Sequence, residues 1–141
     1  MASSMTRILL DTNAIAEAVR PAPNAAFVKR LKANEAKLAI ASVTLHEAVY
    51  GVERLPEGRR KQTLREYMRE VVLRMTVLPY DAAAADWHAR ERVRLEGKGR
   101  TMPYADGQIA AIAVVRSLTL VTANVRDFRA VPGLRVEDWR I

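Results

Sequence analysis

The stretch ILLDTN, residues 8–13, decides the fold, because an aliphatic run there leads directly into a carboxylate. Ile8, Leu9 and Leu10 form a continuous apolar run, which predicts a short strand that is buried on both faces. Asp11 then falls at the point where that strand should end. Burying an unpaired charge costs free energy, so a carboxylate at the tip of a buried strand indicates a specific role.

Outward from this strand, short apolar runs alternate with helical segments along the chain. Further strands are predicted at residues 37–41, 76–80, 118–122 and 134–138, and the main helices at about residues 12–19, 25–34, 43–54, 59–74, 82–96 and 104–116. Strands that alternate with helices predict an α/β fold with a central, mostly parallel sheet of four to five strands flanked by helices. The expected caps of the first three helices are Thr12 or Asn13, Asn24 and Ser42.

The composition predicts one cytoplasmic globular domain that spans residues 1–141, with no membrane partner. Half of the residues are apolar, which suits a packed core, and the chain has no cysteine, so disulfide scaffolds and thiolate metal sites are excluded. The longest apolar run, IAAIAVV at residues 109–115, is too short to cross a bilayer. Residues 1–6 are expected to be a disordered extension, or one added to the natural chain.

The net charge of +7 favours an acidic partner, and nucleic acid is the commonest one. Basic residues concentrate in segments 54–74 and 90–100. An alternative interpretation of these segments is a solvated helical surface with ion pairs between residues four apart. The candidate contacts to a nucleic acid are Arg59, Arg60, Lys61 and Arg100.

Three carboxylates follow a strand end or open a helix, at positions that face the same edge of the predicted sheet. They are Asp11, Glu47 and Asp106. In open α/β sheets, functional sites gather outside the carboxyl ends of the strands. Each of the three also has a structural interpretation, because Asp11 and Asp106 can cap helices. Glu47 stands three residues after Thr44, which is the spacing of a capping box.

Taken together, these carboxylates indicate a metal site. Several carboxylates at one edge repel each other, which raises their pKa values and opposes folding. A divalent cation relieves that repulsion, and oxygen ligands suit Mg²⁺ or Mn²⁺. The chain has no cysteine and no pair of histidines at ligand spacing, so zinc is disfavoured.

Four segments of the chain carry a family resemblance: ILLDTN (8–13), SVTLHEAVYGVERLPEGRR (42–60), PYADGQIAA (103–111) and LTLVTANVRDF (118–128). In this order they resemble the PIN-domain nucleases, and more closely the VapC toxins of bacterial type II toxin–antitoxin pairs. The resemblance covers almost the whole chain and implies a PIN-like fold. It also implies Mg²⁺-dependent cleavage of RNA, with Mn²⁺ able to substitute, inhibition by a cognate VapB-type antitoxin, and a homodimer.

The resemblance also assigns roles to single residues. Asp11, Glu47 and Asp106 match the acidic residues of the family that bind the catalytic metal. The position after the fourth strand that is often a fourth acid in the family is Asn124 here, which departs from the fullest form of the motif. Asp127, three residues later, either supplies a carboxylate through water or holds the turn.

Residues beside these acids receive secondary roles. Either Thr12 or Asn13 is expected to orient the Asp11 carboxylate without binding the metal itself. Tyr104, two residues before Asp106, either covers the core or stacks on a base of the RNA. Arg59, Arg60, Lys61 and Arg100 become candidate contacts to RNA.

The sequence therefore predicts a single-domain endoribonuclease that hydrolyses phosphodiester bonds with a water molecule activated by Mg²⁺. Such hydrolysis leaves a 5′-phosphate and a 3′-hydroxyl. One alternative is a nucleic-acid-binding module without catalysis, in which the carboxylates are structural. Another is a haloacid-dehalogenase-like phosphatase, which needs a second aspartate at position 13, where this chain has Asn13.

Overall fold

A computed structural model describes residues 5–141 and gives this part of the chain one five-stranded sheet. Every neighbouring pair of strands is parallel, and the spatial order is β3-β2-β1-β4-β5. The strands are β1 (Ile8–Leu10), β2 (Leu38–Ala41), β3 (Thr76–Leu78), β4 (Thr119–Val121) and β5 (Arg135–Glu137). The predicted α/β fold with a parallel sheet is confirmed.

Helical segments connect the strands, as parallel pairing requires. Within residues 5–141 the α-helices are α1 (Thr12–Ala18), α2 (Ala25–Ala33), α3 (Ser42–Glu53), α4 (Arg59–Glu70), α5 (Ala82–Glu96), α6 (Tyr104–Val115) and α7 (Val125–Phe128). The helix predicted for residues 59–74 ends early, because the chain tightens into a 3₁₀ turn at Val72–Arg74 that buries Val72 before β3. None of these helices is long and apolar enough to cross a membrane.

The caps of the first helices differ in part from the prediction. Asp11, and neither Thr12 nor Asn13, caps α1, and its side chain accepts a hydrogen bond from the Ala14 amide. Ser42 is the first residue of α3 and not its cap, because β2 runs directly into the helix and leaves Ala41 in the cap position. The Asn24 cap of α2 is confirmed by a 2.9 Å hydrogen bond from the Phe27 amide to Oδ1.

Helices cover both faces of the sheet, which explains the continuous apolar runs of its strands. Leu9 and Leu120 pack against the alanine-rich helix α6 on one face. Leu10 and Ile40 pack on the other face against side chains of α1, α2, α3 and α4. The extension predicted for residues 1–6 falls mainly outside the described part of the chain, and within that part Thr6 is buried.

Candidate active site

Asp11 lies at the end of β1 and is almost completely buried, with 4% of its surface exposed. The backbone there is extended, with φ −86° and ψ 179°, and Oδ1 accepts a hydrogen bond of 2.9 Å from the Ala14 amide. Burial raises the pKa of Asp11, and polar contacts with Thr122, Ala14 and Asn13 only partly offset that effect. This carboxylate is therefore held in one place at an electrostatic cost.

Asp106 lies in the first turn of α6, close enough to Asp11 for their charges to interact. Burial raises the pKa of Asp106, and the negative charges of Asp11 and Asp127 raise it further. No ion pair with a Lys or Arg reaches any of these three carboxylates within residues 5–141. We call Asp11, Asp106 and Asp127 the acidic edge. Within the described residues, no basic side chain of the protein neutralises it.

Glu47 lies on the exposed surface of α3, outside the acidic edge. No group of three acidic or histidine side chains is close enough to hold an ion in the described part of the chain, so the three predicted ligands do not come together in this conformation. The capping box predicted for Glu47 is wrong, because Ala41 caps α3 and the Thr44 hydroxyl is buried without a hydrogen-bond partner.

The acidic edge nevertheless fits a hard divalent cation. Its side chains offer only oxygen ligands, and Asp11 and Asp106 each carry a pKa raised by burial. A cation between them would offset both the cost of burying the charges and their mutual repulsion. No Lys or Arg side chain of the described residues pairs with them to offset that cost. The chemistry of the two carboxylates thus matches the ion class that the sequence predicts.

The loop after β4 brings further polar groups to this edge. Thr122 is buried and its hydroxyl accepts a 3.0 Å hydrogen bond from the Asn124 amide, while the same residue contacts Asp11. Asn124 is exposed, and its carbonyl accepts a hydrogen bond of 3.0 Å from the Asp127 amide. Thr122 was not among the predicted site residues. The feature of the sequence that points to Thr122 is its position. It directly follows β4, as Asp11 directly follows β1.

The predicted nucleic-acid contacts differ in their surroundings. Arg59, Arg60 and Arg100 are exposed, and they form no ion pair within residues 5–141. Lys61 does not fit its predicted role, because it is buried and its ammonium group donates hydrogen bonds of 2.9 Å to the Glu53 carbonyl and the Glu57 carboxylate. Lys61 instead ties α4 to the end of α3.

Many other basic side chains follow the alternative interpretation of a solvated surface. Their ion pairs in segments 54–74 and 90–100 join Arg65 to Glu53 and Glu57, and also include Arg74–Glu70, Arg90–Asp86, Arg92–Glu96 and Arg94–Glu91. The exposed pairs, those of Arg74, Arg90 and Arg92, contribute little to stability, but every pair reduces the number of cations available to an external polyanion. The free cationic surface is therefore smaller than the 23 basic residues of the chain suggest.

An apolar groove opens beside Glu47 between α1, α3 and α4. It has a volume of about 320 Å³, and Thr12, Glu47 and Arg60 lie on its border. Its apolar lining comprises Ile15, Val19, Ala48, Leu55, Leu64 and Met68. Of the two residues predicted to orient Asp11, Thr12 thus borders this groove, whereas Asn13 contacts Asp11.

Comparison with known proteins places this geometry in a family. The sequence profile of the PIN domain matches residues 8–134. The chain belongs to the PIN domain family. Over 135 residues, this PIN domain is 39% identical to the tRNA(fMet)-specific endonuclease VapC of Shigella flexneri, covering 96% of this chain and 99% of that protein. It is 33% identical over 136 residues to the toxin FitB of Neisseria gonorrhoeae, covering 94% and 98% of the two chains.

Solved structures of PIN domains agree with the fold described above. The structure of FitAB bound to the IR36 DNA fragment matches with a TM-score of 0.86 and 33% identity, covering 95% of this chain and 96% of that one. DNA-bound VapBC from Salmonella typhimurium matches with a TM-score of 0.81 and 32% identity, covering 95% and 98%. The predicted PIN-like fold and the predicted resemblance to VapC-type nucleases are confirmed. The alternative of a haloacid-dehalogenase-like phosphatase is wrong, because the chain belongs to the PIN domain family.

Proposed function

We propose that this PIN domain is a divalent-metal-dependent endoribonuclease and the toxin of a VapBC-type toxin–antitoxin pair. The observation that carries the proposal is the pair Asp11 and Asp106: two carboxylates with pKa values raised by burial, interacting at the carboxyl edge of a parallel sheet. The relatives named as endonucleases and ribonucleases support the reaction class. Mg²⁺ is the expected ion, and Mn²⁺ is expected to substitute for it.

The chain's own residues would position the reactants. Asp11 and Asp106 would hold the ion, and Asp127 or Asn124 would add a further oxygen. Glu47, which is exposed on α3 and does not join them in this conformation, would have to move towards the ion to serve as the third ligand. When bound, Mg²⁺ supplies Lewis-acid chemistry that lowers the pKa of water and neutralises charge on phosphate oxygens. The hydrogen bond from Ala14 and the contact with Thr122 keep the Asp11 carboxylate in one orientation, which favours an ordered site. The proposal needs no side-chain nucleophile.

The proposed partners have matching surfaces on this chain. The apolar groove beside Glu47 suits an amphipathic segment of a VapB-type antitoxin, since such segments place their apolar face in a groove. For the proposed homodimer, Val49 and Tyr50 on α3 and Val93 on α5 are exposed apolar side chains, whereas Leu64 is buried in the core. The cytoplasmic location stays a prediction.

The first test is cleavage of RNA by the purified protein in Mg²⁺, in Mn²⁺ and in excess chelator. Initiator transfer RNA is a suitable first substrate, because the Shigella relative is named as specific for it. We expect cleavage with either ion, none in chelator, and products that carry 5′-phosphate and 3′-hydroxyl ends. Cleavage that continues in chelator would contradict the metal site. Tight RNA binding without cleavage in either metal would favour the alternative of a non-catalytic binding module.

A second test concerns the two arginines at the start of α4. Changing both Arg59 and Arg60 to glutamate should weaken RNA binding and flatten its dependence on salt, because each lost phosphate contact reduces the salt slope by about 1. Affinity measured from low to high salt gives both quantities. The matched control changes both Lys29 and Lys32 to glutamate. These are two exposed cations of α2 outside both basic segments. Equal effects of the two double variants would assign the change to net charge alone.

A further inference from the structure

A second cavity lies beside the first turn of α6 and is lined there by Tyr104 and Gly107, which precede and follow Asp106 in the sequence. It has a volume of about 180 Å³ and is enclosed by α5 on one side and by residues 100–104 on the other. This is several times the roughly 30 Å³ of one water molecule and less than the roughly 300 Å³ at which sites for larger ligands begin. Its size therefore suits a single planar ring system.

Aromatic and apolar side chains form the walls of this cavity. The lining includes Trp87, His88, Leu95, Met102 and Tyr104, and charged side chains such as Arg100 lie beside them. Tyr104 has 56% of its surface exposed, and its ring lies 5.1 Å from the His88 ring and 6.4 Å from the Tyr80 ring, measured between centroids. An exposed aromatic ring that neighbouring rings hold in place is a stacking surface with little freedom left to lose.

Close packing between α5 and α6 fixes this aromatic group. The Tyr80 hydroxyl and His88 Nδ1 are hydrogen-bonded at 2.7 Å, which orients the imidazole ring. His88 then lies so close to Gly107 that a Cβ atom there would collide with its Nε2 atom. Gly107 directly follows Asp106, so the cavity wall and the acidic edge belong to the same helical turn.

The charges around the cavity favour an anionic chain. Glu91 is the buried acid of the lining, and Arg94 neutralises it through two hydrogen bonds of 2.6 and 2.7 Å. Glu96 faces Arg92 at 3.4 Å. Arg100 is exposed at the cavity and forms no ion pair within residues 5–141, so it is free to meet a phosphate.

We propose that this cavity receives one unpaired base of the RNA substrate, stacked on Tyr104, next to the phosphodiester that is cut. The inference rests on the proposed nuclease function and adds a base-recognition subsite to it. Proteins recognise single-stranded RNA by stacking splayed bases on aromatic rings and by contacting the adjacent phosphates with cations. The cavity supplies both elements within two residues of a proposed metal ligand.

The test uses short single-stranded RNAs that carry one fluorescent 2-aminopurine base at successive positions around the cut site, bound in chelator so that no cleavage occurs. We expect quenching at one position with the wild type and with Tyr104→Phe, and its loss with Tyr104→Ala. Affinity should fall by about five- to a hundredfold in Tyr104→Ala, the range seen when a stacked base loses its aromatic partner. Leu73→Ala is the matched control, because Leu73 is an apolar side chain that is 54% exposed and lies outside the cavity lining, so it should leave quenching unchanged.

A second variant guards against misfolding of the first. Thr101 is an exposed residue of the cavity lining, so Thr101→Leu should narrow the cavity without adding an aromatic ring, and it should also reduce quenching. Quenching that persists at the wild-type level in both Tyr104→Ala and Thr101→Leu would overturn the proposal, as would an oligomeric state that changes in these variants, since the cavity would then be a contact between copies. If the wild type cleaves RNA in metal but shows no quenched position, the base subsite fails while the nuclease function stands. If it does not cleave RNA at all, the nuclease function itself fails.

Discussion

Asp11→Asn and Asp106→Asn should each lower RNA cleavage by at least about a hundredfold, the scale on which enzymes lose activity when one group that stabilises developing charge is removed. Each change removes a negative charge from the acidic edge but keeps the shape of the side chain. Asparagine caps helices about as well as aspartate, so α1 should keep the hydrogen bond that Asp11 accepts from Ala14. The loss of activity would therefore come from charge and not from the fold.

The measurement compares kcat/KM for the same RNA in Mg²⁺, with melting temperatures recorded for each variant. Asp86→Asn is the matched control, because Asp86 is an exposed aspartate on α5 that pairs with Arg90 at 3.0 Å, and it should retain full activity. Full activity in both Asp11→Asn and Asp106→Asn would remove the acidic edge from the mechanism. Glu47→Gln should also impair cleavage, to a smaller extent if Glu47 reaches the ion through water.

The fold could be predicted from the sequence because both core layers leave a local signature. Strands covered on two faces read as continuous apolar runs, and ILL, LAIA and TLV all became strands of the sheet. Helix α5 also has the predicted bounds, because an aspartate cap and a glycine stop bracket it in the sequence. The final turn of the helix predicted at 59–74 could not be foreseen, since it depends on how Val72 packs before β3.

The candidate site was predictable only in part, for physical reasons that differ between residues. Asp11 and Asp106 follow from the rule that strand ends and helix starts share one edge of a parallel sheet. The rule places a backbone but not a side chain, so it could not show that Glu47 lies on the exposed surface of α3. Lys61 resembles its neighbours Arg59 and Arg60 in sequence, and only the nearby Glu53 carbonyl and Glu57 carboxylate distinguish it.

Asp106→Asn should also make the metal-free protein more stable, even though it removes activity. Burial and the charges of Asp11 and Asp127 raise the folded-state pKa of Asp106 above its unfolded value. A carboxyl group of this kind stabilises the folded state below its unfolded pKa, where it is protonated, and that stabilisation is lost as the pH rises through the folded pKa. Above the folded pKa the ionised Asp106 therefore opposes folding, and a neutral asparagine relieves the repulsion.

Thermal melts in chelator and in excess Mg²⁺ or Mn²⁺ measure this effect. In chelator at neutral pH, we expect Asp106→Asn to melt above the wild type by roughly 2–4 °C or less, because solvent screens the charge of a carboxylate that is only partly buried. Added metal should raise the Tm of the wild type more than that of the variant, because an ion that binds only the native state stabilises it by mass action. The difference in Tm between Asp106→Asn and the wild type should then become smaller or change sign.

Two controls separate this effect from a general response to lost charge. Asp86 has its pKa lowered by the hydrogen bond from Arg90, so Asp86→Asn should leave the Tm unchanged or lower it, the opposite sign to Asp106→Asn. The difference in Tm between Asp106→Asn and the wild type should also shrink as the pH falls in chelator, since protonation of Asp106 achieves what the substitution does. If Asp106→Asn is clearly less stable than the wild type in chelator, the carboxylate is mainly structural. The idea that the charges of the acidic edge destabilise the metal-free protein would then be wrong.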